Sequence, residues 1–284
     1  MKRSNFLVFI LFLFSVNTLQ ADQGLPLYYW QQKQFINFGD YISLKLVERI
    51  TDSQIEIFYR YPKNTKQKLL AIGSILSFAV QNDVIWGTGV NGKWLGLENY
   101  PFTNLDARSV RGPLTRKFLM DNFGIGCPEI YGDPALLFPY FFPEFQRSEN
   151  PSRDYIVIPH YTEKNLFPKD QEDRIVYPTD PWDEVIGKII DSQLVISSSL
   201  HGIVIAEAYG IPAICLRATG NEPLFKYEDY YQGTGRPDFK YATTVEEALK
   251  MGGERPFECD LNLLYESFPR EFWPYSDFKP LVRQ

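Results

Sequence analysis

Short apolar runs alternate along the chain with stretches of helical spacing. Leu25 to Trp30, Ile55 to Phe58, Leu69 to Gly73 and Val84 to Gly87 each read as a buried strand closed by glycine or a polar turn. Between the first two, Ile42, Leu46, Val47 and Ile50 carry the spacing of an amphipathic helix over Tyr41 to Ile50. Ser109 to Arg116 reads as a strand passing into a helix, with Pro113 in the first turn, where its missing N–H costs nothing. A second series follows, with strands at Tyr155 to Ile158, Ile175 to Tyr177, Leu194 to Ile196 and Ala213 to Leu216. Its helices run over Trp182 to Ile190 and from His201 onward. Strands separated by helices predict mainly parallel sheets.

Residues 138–153, rich in Phe, Pro and polar groups, are the candidate linker. The expected architecture is α/β with two domains, 22–145 and 146–284. The tail from Glu254 onward is expected to pack back on the body.

Residues 1–21 hold the parts of a secretory signal: Lys2 and Arg3, an apolar stretch over residues 6–16, and a small residue at Ala21. The stretch is short against the roughly 20 apolar residues of a spanning helix. Export to a secretory compartment is the expectation. The alternatives are a tether through residues 6–16 at the cytoplasmic face of a membrane, or an apolar first strand or helix packed on the domain.

At 284 residues, 44% hydrophobic and 23% charged, the chain has the makings of a sizeable core. A net charge of −6 without a basic stripe argues against nucleic acid as a partner. Cys127, Cys215 and Cys259 are too few for a disulfide framework or a zinc site, and leave one disulfide open. The aromatic content of 16% suits either sugar faces or extra core.

The chemistry concentrates where strands hand over to helices. In open α/β sheets, ligands bind outside the carboxyl ends of strands, where helix N-termini offer free N–H groups to anions. The run Ser197-Ser198-Ser199-Leu200-His201-Gly202 occupies such a place. His201, one of two histidines, is the candidate proton donor: the helix dipole disfavours its cation, and a bound phosphate or carboxylate restores it. A structural histidine bonded to the serine turn is the alternative. Ser198 and Ser199 are ligand contacts or caps, and Gly202 allows close approach of a ligand or of the sheet.

Arg111, between a strand and a helix, can grip a carboxylate or phosphate with two parallel bonds, or else is a surface arginine. His160 ends another strand and is expected on the same rim as His201, or else is a satisfied loop histidine. Asn37, Gly39 and Asp40 lie at the first strand-to-helix turn, as ligand contacts or as a cap. Asp133, in the turn Tyr131 to Pro134, is a candidate base. Lys226 to Tyr231 lines a sugar site or covers the core. Glycine fingerprint, phosphate loop, zinc-helix and Asp-x-Asp motifs are absent from the sequence, so neither metal nor cofactor is expected.

In order, Asn37-Phe38-Gly39-Asp40, Ile85-Trp86-Gly87-Thr88-Gly89, Ser109 to Thr115, Tyr131 to Ala135, Ile158 to Tyr161, Ser198 to Gly202, Tyr209 to Pro212 and Phe225 to Tyr231 resemble the polysaccharide pyruvyl transferase family. The resemblance spans nearly everything after residue 25. It implies a two-domain fold similar to the GT-B glycosyltransferases, with the active site between two Rossmann-like halves. It also implies metal-free transfer of a pyruvyl group from phosphoenolpyruvate to a sugar of a glycan, forming a ketal. The family's general acid falls on His201, next to Leu200, and its anion-holding arginine on Arg111. Many members carry an arginine just before the Leu-His pair. Here that position is Ser199, which leaves Arg217 or Arg116 as substitutes.

Phosphoenolpyruvate is made in the cytosol, so an exported enzyme needs the donor imported, or the apolar start retained as a tether. Two rivals stand beside this reading: a glycosyltransferase of the same shape using a nucleotide sugar, and a non-catalytic glycan-binding protein. The oligomeric state stays open.

Overall fold

The computed structural model describes residues 24–59, 66–169 and 173–282. The signal and tether read over residues 1–21 lie outside them. Two four-stranded parallel sheets organise the chain. The first holds β1 (Leu27–Tyr28), β2 (Leu69–Leu70), β3 (Val84–Trp86) and β4 (Asp106–Ser109) in that order. With it go helices α1 (Phe38–Thr51) and α2 (Pro113–Phe123). After the short helix α3 (Phe138–Phe141) comes the second sheet: β5 (Ile156–Ile158), β6 (Val195–Ser197), β7 (Ala213–Leu216) and β8 (Tyr241–Ala242). Its helices are α4 (Trp182–Ile190), α5 (Leu200–Ala208), α6 (Phe225–Gly233), α7 (Val245–Met251) and α8 (Leu261–Glu266). This α/β layout fits a Rossmann-like, GT-B-like arrangement.

The expected strands at Ile55–Phe58 and Ile175–Tyr177 shrink to single parallel bridges, Leu27 to Ile57 and Val157 to Ile175. Those bridges fix the topology. After β1 the chain steps to one side, to Ile57, and returns on the other side as β2. After β5 it does the same through Ile175 before β6. Each sheet therefore reverses direction beside its first strand, and an open sheet offers its ligand crevice at such a reversal.

Strands covered on both faces need apolar residues throughout, and β2, β3, β5 and β6 are buried along their length. One hydrophobic core runs through both halves: Phe38, Ile42 and Leu46 of α1 join Ile186 and Ile189 of α4 and Ile203 of α5. Helix α5 is buried from Leu200 to Glu207, as a helix apolar all round must be.

The segment 138–153 connects the sheets as packed structure. Phe138 and Phe142 are buried and stack at 4.2 Å, with Trp182 edge-on to both rings. The tail returns to the first sheet, where the Trp86 indole N–H donates to the Leu264 carbonyl at 2.9 Å and Phe268 meets the Trp86 ring edge-on. All three cysteines are free thiols. Among the described residues, no helix is long and apolar enough to cross a membrane.

Candidate active site

The two reversals meet at one cleft of about 130 Å³. Trp30, Asn37, Asp40, Ser74, Asn91, Lys93 and Trp94 line it from the first half. His160, Tyr161, Ser199, Leu200, His201, Glu222 and Lys226 line it from the second. A larger hollow of about 470 Å³, bordered by Pro139, Tyr140, Arg147, Tyr209 and Phe257, touches none of the candidate residues.

The serine turn divides its labour. Ser197 Oγ accepts the Ser199 N–H at 3.0 Å and donates to the Ser199 carbonyl at 2.7 Å, fixing the turn from inside. Gly202 backs on to it: a Cβ there would lie 2.5 Å from Ser197 Oγ, so this glycine serves the packing of α5 on β6 and not a ligand. Ser198 Oγ accepts the His160 N–H at 2.8 Å and donates to Glu163 at 2.5 Å, tying β5 to β6 beneath the cleft surface. Ser199 takes the N-cap position of α5 without a side-chain cap bond, so it and the helix start face the cleft.

His201 is nearly buried, 8% exposed. Gly39 packs on its ring so closely that a Cβ would lie 2.3 Å from Nδ1. Nε2 lies 3.6 Å from Asp133 Oδ2. Both atoms are buried and neither has a hydrogen-bond partner. The other oxygen of Asp133 accepts the Ala135 N–H at 3.0 Å and caps a short turn. Asp133 thus stands behind the imidazole, away from the cleft wall where a base for substrate would sit.

Asn37 Oδ1 accepts the Gly39 N–H at 3.0 Å and caps α1. The same turn presents Asp40 to the cleft. Asp40 is half-buried by surface, but the walls strip water from its carboxyl and push it up to about 6, with Asp133 adding to the rise and His201 and Lys226 opposing it.

His160 does share the rim with His201. Burial, with Lys226 and Lys93 nearby, lowers its imidazole to about 4. Its Nδ1 lies 2.7 Å from Thr162 Oγ1 and 3.6 Å from Glu222.

The sequence reading missed Lys93, Glu222 and Ser74, and it took Lys226 to Tyr231 together as lining a sugar site or covering the core. In the fold, Tyr227, Tyr230 and Tyr231 are core, and the Lys226 ammonium turns to the cleft. It meets one oxygen of Glu222 at 2.5 Å, and Lys93, from the other half, meets the second oxygen at 2.6 Å. Burial disfavours the Glu222 carboxylate, yet Lys226 and Lys93 outweigh it and hold the carboxyl at about 2. Two ammonium groups therefore face the cleft, offset by Asp40 and Glu222.

Arg111 lies behind the cleft rather than on its wall. Fully buried, it donates to Asp229 at 3.1 Å, to the Val90 carbonyl at 2.7 Å and to Ser74 Oγ at 2.5 Å. Asp229 also accepts the Thr115 N–H at 2.9 Å and hydroxyl at 2.7 Å. A Cβ on Gly112 would lie 1.8 Å from the Asp229 carbonyl oxygen, so α2 and α6 meet backbone to backbone here. Arg111 is a clasp between the halves, and it reaches the cleft only through Ser74. The substitutes fare no better: Arg116 bonds the Cys127 carbonyl, and Arg217 lies over the Tyr241 ring.

Residues 37–218 match the family described as polysaccharide pyruvyl transferase, a span that includes Asp40, Lys93, Asp133, His160 and His201. The chain is 30% identical to the succinoglycan biosynthesis protein ExoV of Rhizobium meliloti, over 79% of this chain and 71% of that one. An uncharacterised protein of Acanthamoeba polyphaga mimivirus is 28% identical over 76% of this chain and 78% of its own. A solved structure of a protein of uncharacterised function from Klebsiella pneumoniae superposes with a TM-score of 0.43 and 11% identity, covering 79% of this chain and 94% of that one. The family match covers the turns that bring His201, Gly39, Asp40 and Asp133 together; this chain belongs to the polysaccharide pyruvyl transferase family.

Proposed function

We propose that the protein transfers a pyruvyl group from phosphoenolpyruvate to hydroxyls of a glycan, and that His201 supplies the proton that starts the reaction. The observation that carries this reading is one small cleft holding His201, two lysine ammoniums and the open start of α5. Membership of the family favours a pyruvyl donor over a nucleotide sugar.

Lys226 and Lys93 take the donor's phosphate and carboxylate, with N–H groups at the start of α5 completing the anion site. They supply positive charge to a cleft where Ser199, standing where many members carry an arginine, supplies none. His201 then gives a proton to the methylene carbon of the enol phosphate. The C=C electron pair forms the new C–H bond and leaves the neighbouring carbon electron-poor. A sugar hydroxyl bonds to that carbon, and its proton passes to Asp40. Phosphate departs with its bonding pair; a second hydroxyl of the acceptor then bonds to the same carbon and closes the ketal, and its proton returns to the His201 imidazole. Asp133 stabilises and orients the His201 imidazole throughout; general acid catalysis of this kind is worth ~10²–10⁴-fold.

Calorimetric titration with phosphoenolpyruvate and with nucleotide sugars, followed by assay of phosphate release and acceptor mass, tests the reading. Phosphoenolpyruvate binds, phosphate is released on addition of acceptor, and His201→Ala abolishes release while leaving the far-UV spectrum unchanged. Binding of a nucleotide sugar alone, or full turnover by His201→Ala, overturns it.

A further inference from the structure

We infer that the aromatic wall at the mouth of the cleft is the acceptor subsite and takes a pyranose ring of the glycan by stacking. This rests on the reading above only in taking the second substrate to be a saccharide. Trp30 lies in the connection from β1 to α1, and Tyr161 follows β5, so the wall is built from both halves. Their ring centroids are 5.4 Å apart, and Phe35 packs against both, at 6.4 Å from Trp30 and 5.5 Å from Tyr161. Trp30 and Tyr161 line the same cleft as His201.

Trp94 lines the cleft as well and stays 47% exposed, with Leu95 and Leu97 beside it in sequence at 50% and 48%. Leaving such large side chains in water is unfavourable unless something covers them. The lining next to them is charged, through Lys93 and Asp40. A lipid or apolar peptide matches the rings and not those charges. A sugar matches both: its C–H face lies on an aromatic ring while its hydroxyls reach polar side chains. Asp40 and His201 line the same cleft as this wall, so a sugar stacked on it shares a cavity with both.

The test is calorimetric binding of galactose-, glucose- and mannose-based oligosaccharides in the absence of donor, with a separate titration of phosphoenolpyruvate. Wild type binds at least one of these classes. Trp30→Ala, Tyr161→Ala and Trp94→Ala each weaken that binding about tenfold, and Tyr161→Phe stays within about twofold, because the ring and not the hydroxyl makes the contact. Phosphoenolpyruvate affinity is unchanged in all four. If Trp30→Ala does not fold, the Tyr161 and Trp94 variants carry the test. Saccharide binding equal to wild type in the alanine variants, or no saccharide bound at millimolar concentration, overturns the inference. Loss of saccharide binding in the variants of a protein that never binds phosphoenolpyruvate supports the inference and sinks the donor assignment alone.

Discussion

His201 Nε2 and Asp133 Oδ2 face each other across 3.6 Å, both buried and neither bonded to anything else. A buried polar atom without a partner is costly, and native proteins keep few of them. Here the cost is relieved when the imidazole carries a proton on Nε2, which turns the contact into a charge-assisted pair. Asp133→Asn keeps the cap on Ala135 through its amide oxygen but removes that charge. The expected outcome is a kcat lower by about 10²-fold with the donor KM little changed. Stopped-flow turnover beside a urea melt checks it, since a structural role for Asp133 would move the melt instead.

Gly39 makes an independent test of the same ring. Its Cα takes the space in which a Cβ would strike Nδ1, Cγ and Cβ of His201, at 2.3, 2.6 and 2.7 Å. Gly39→Ala therefore displaces the imidazole while offering α1 a residue with better helix propensity. Turnover should fall by more than about tenfold, because small misplacements of a reacting group are expensive. Donor binding, read by calorimetry, should persist.

As the proposed base, Asp40 should set the pH dependence of turnover. With its carboxyl near 6, it is ionised as a base only above that value, so kcat/KM gains an acid limb centred at about 6 that Asp40→Asn removes. The effect on stability has the opposite sense. A carboxyl raised on folding contributes stability below its ordinary value near 3.8, and that stability is lost as pH rises through about 6. Urea midpoints should show Asp40→Asn gaining on wild type between pH 5 and pH 7. An incoming anion raises the carboxyl further, so donor binding at pH 6.5 takes up protons, measurable as a buffer-dependent binding heat.

Much of this arrangement was legible in the chain itself. Strands β2, β3, β5, β6 and β7 announce themselves because a strand covered on both faces is a solid apolar run. Strand β8 does not, since its two residues belong to no apolar run and Tyr241 is exposed. Helix α6 is hidden because Phe225 to Gly233 mixes rings and charges at every phase, and its order comes from docking on α2. His201, His160, Asn37 and Asp40 could be found because they terminate strands or open helices. Lys93 and Lys226 could not, because nothing local tells a lysine near a cleft from one in solvent. The place of Arg111 behind the cleft was not legible for a related reason: a guanidinium after a strand suits an ion pair as well as a ligand, and its partner lies 118 residues away.

Lys226 and Lys93 should carry donor affinity. Both ammoniums are held on Glu222, so Lys226→Met leaves Lys93 and Glu222 paired and removes one of two contacts to the anion. The donor Kd is expected to rise by about tenfold or more, and the dependence of binding on salt to flatten. Titration of phosphoenolpyruvate at two ionic strengths decides it; an unchanged Kd would move the anion site elsewhere.

The Arg111–Asp229 clasp separates stability from binding. Both side chains are fully buried, so removing one strands the other without water. Asp229→Ala should lower unfolding free energy by roughly 3–5 kcal/mol, whereas replacing both together, as Arg111→Met with Asp229→Leu, recovers part of the loss. Chemical denaturation of the two single variants and the double variant gives the coupling between them. The double variant also asks whether Arg111 touches the donor at all. Because its guanidinium reaches the cleft only through Ser74, the folded double variant should bind phosphoenolpyruvate within a few-fold of wild type. Affinity that vanishes there while the melt stays cooperative would return Arg111 to the anion site and displace the two lysines from it.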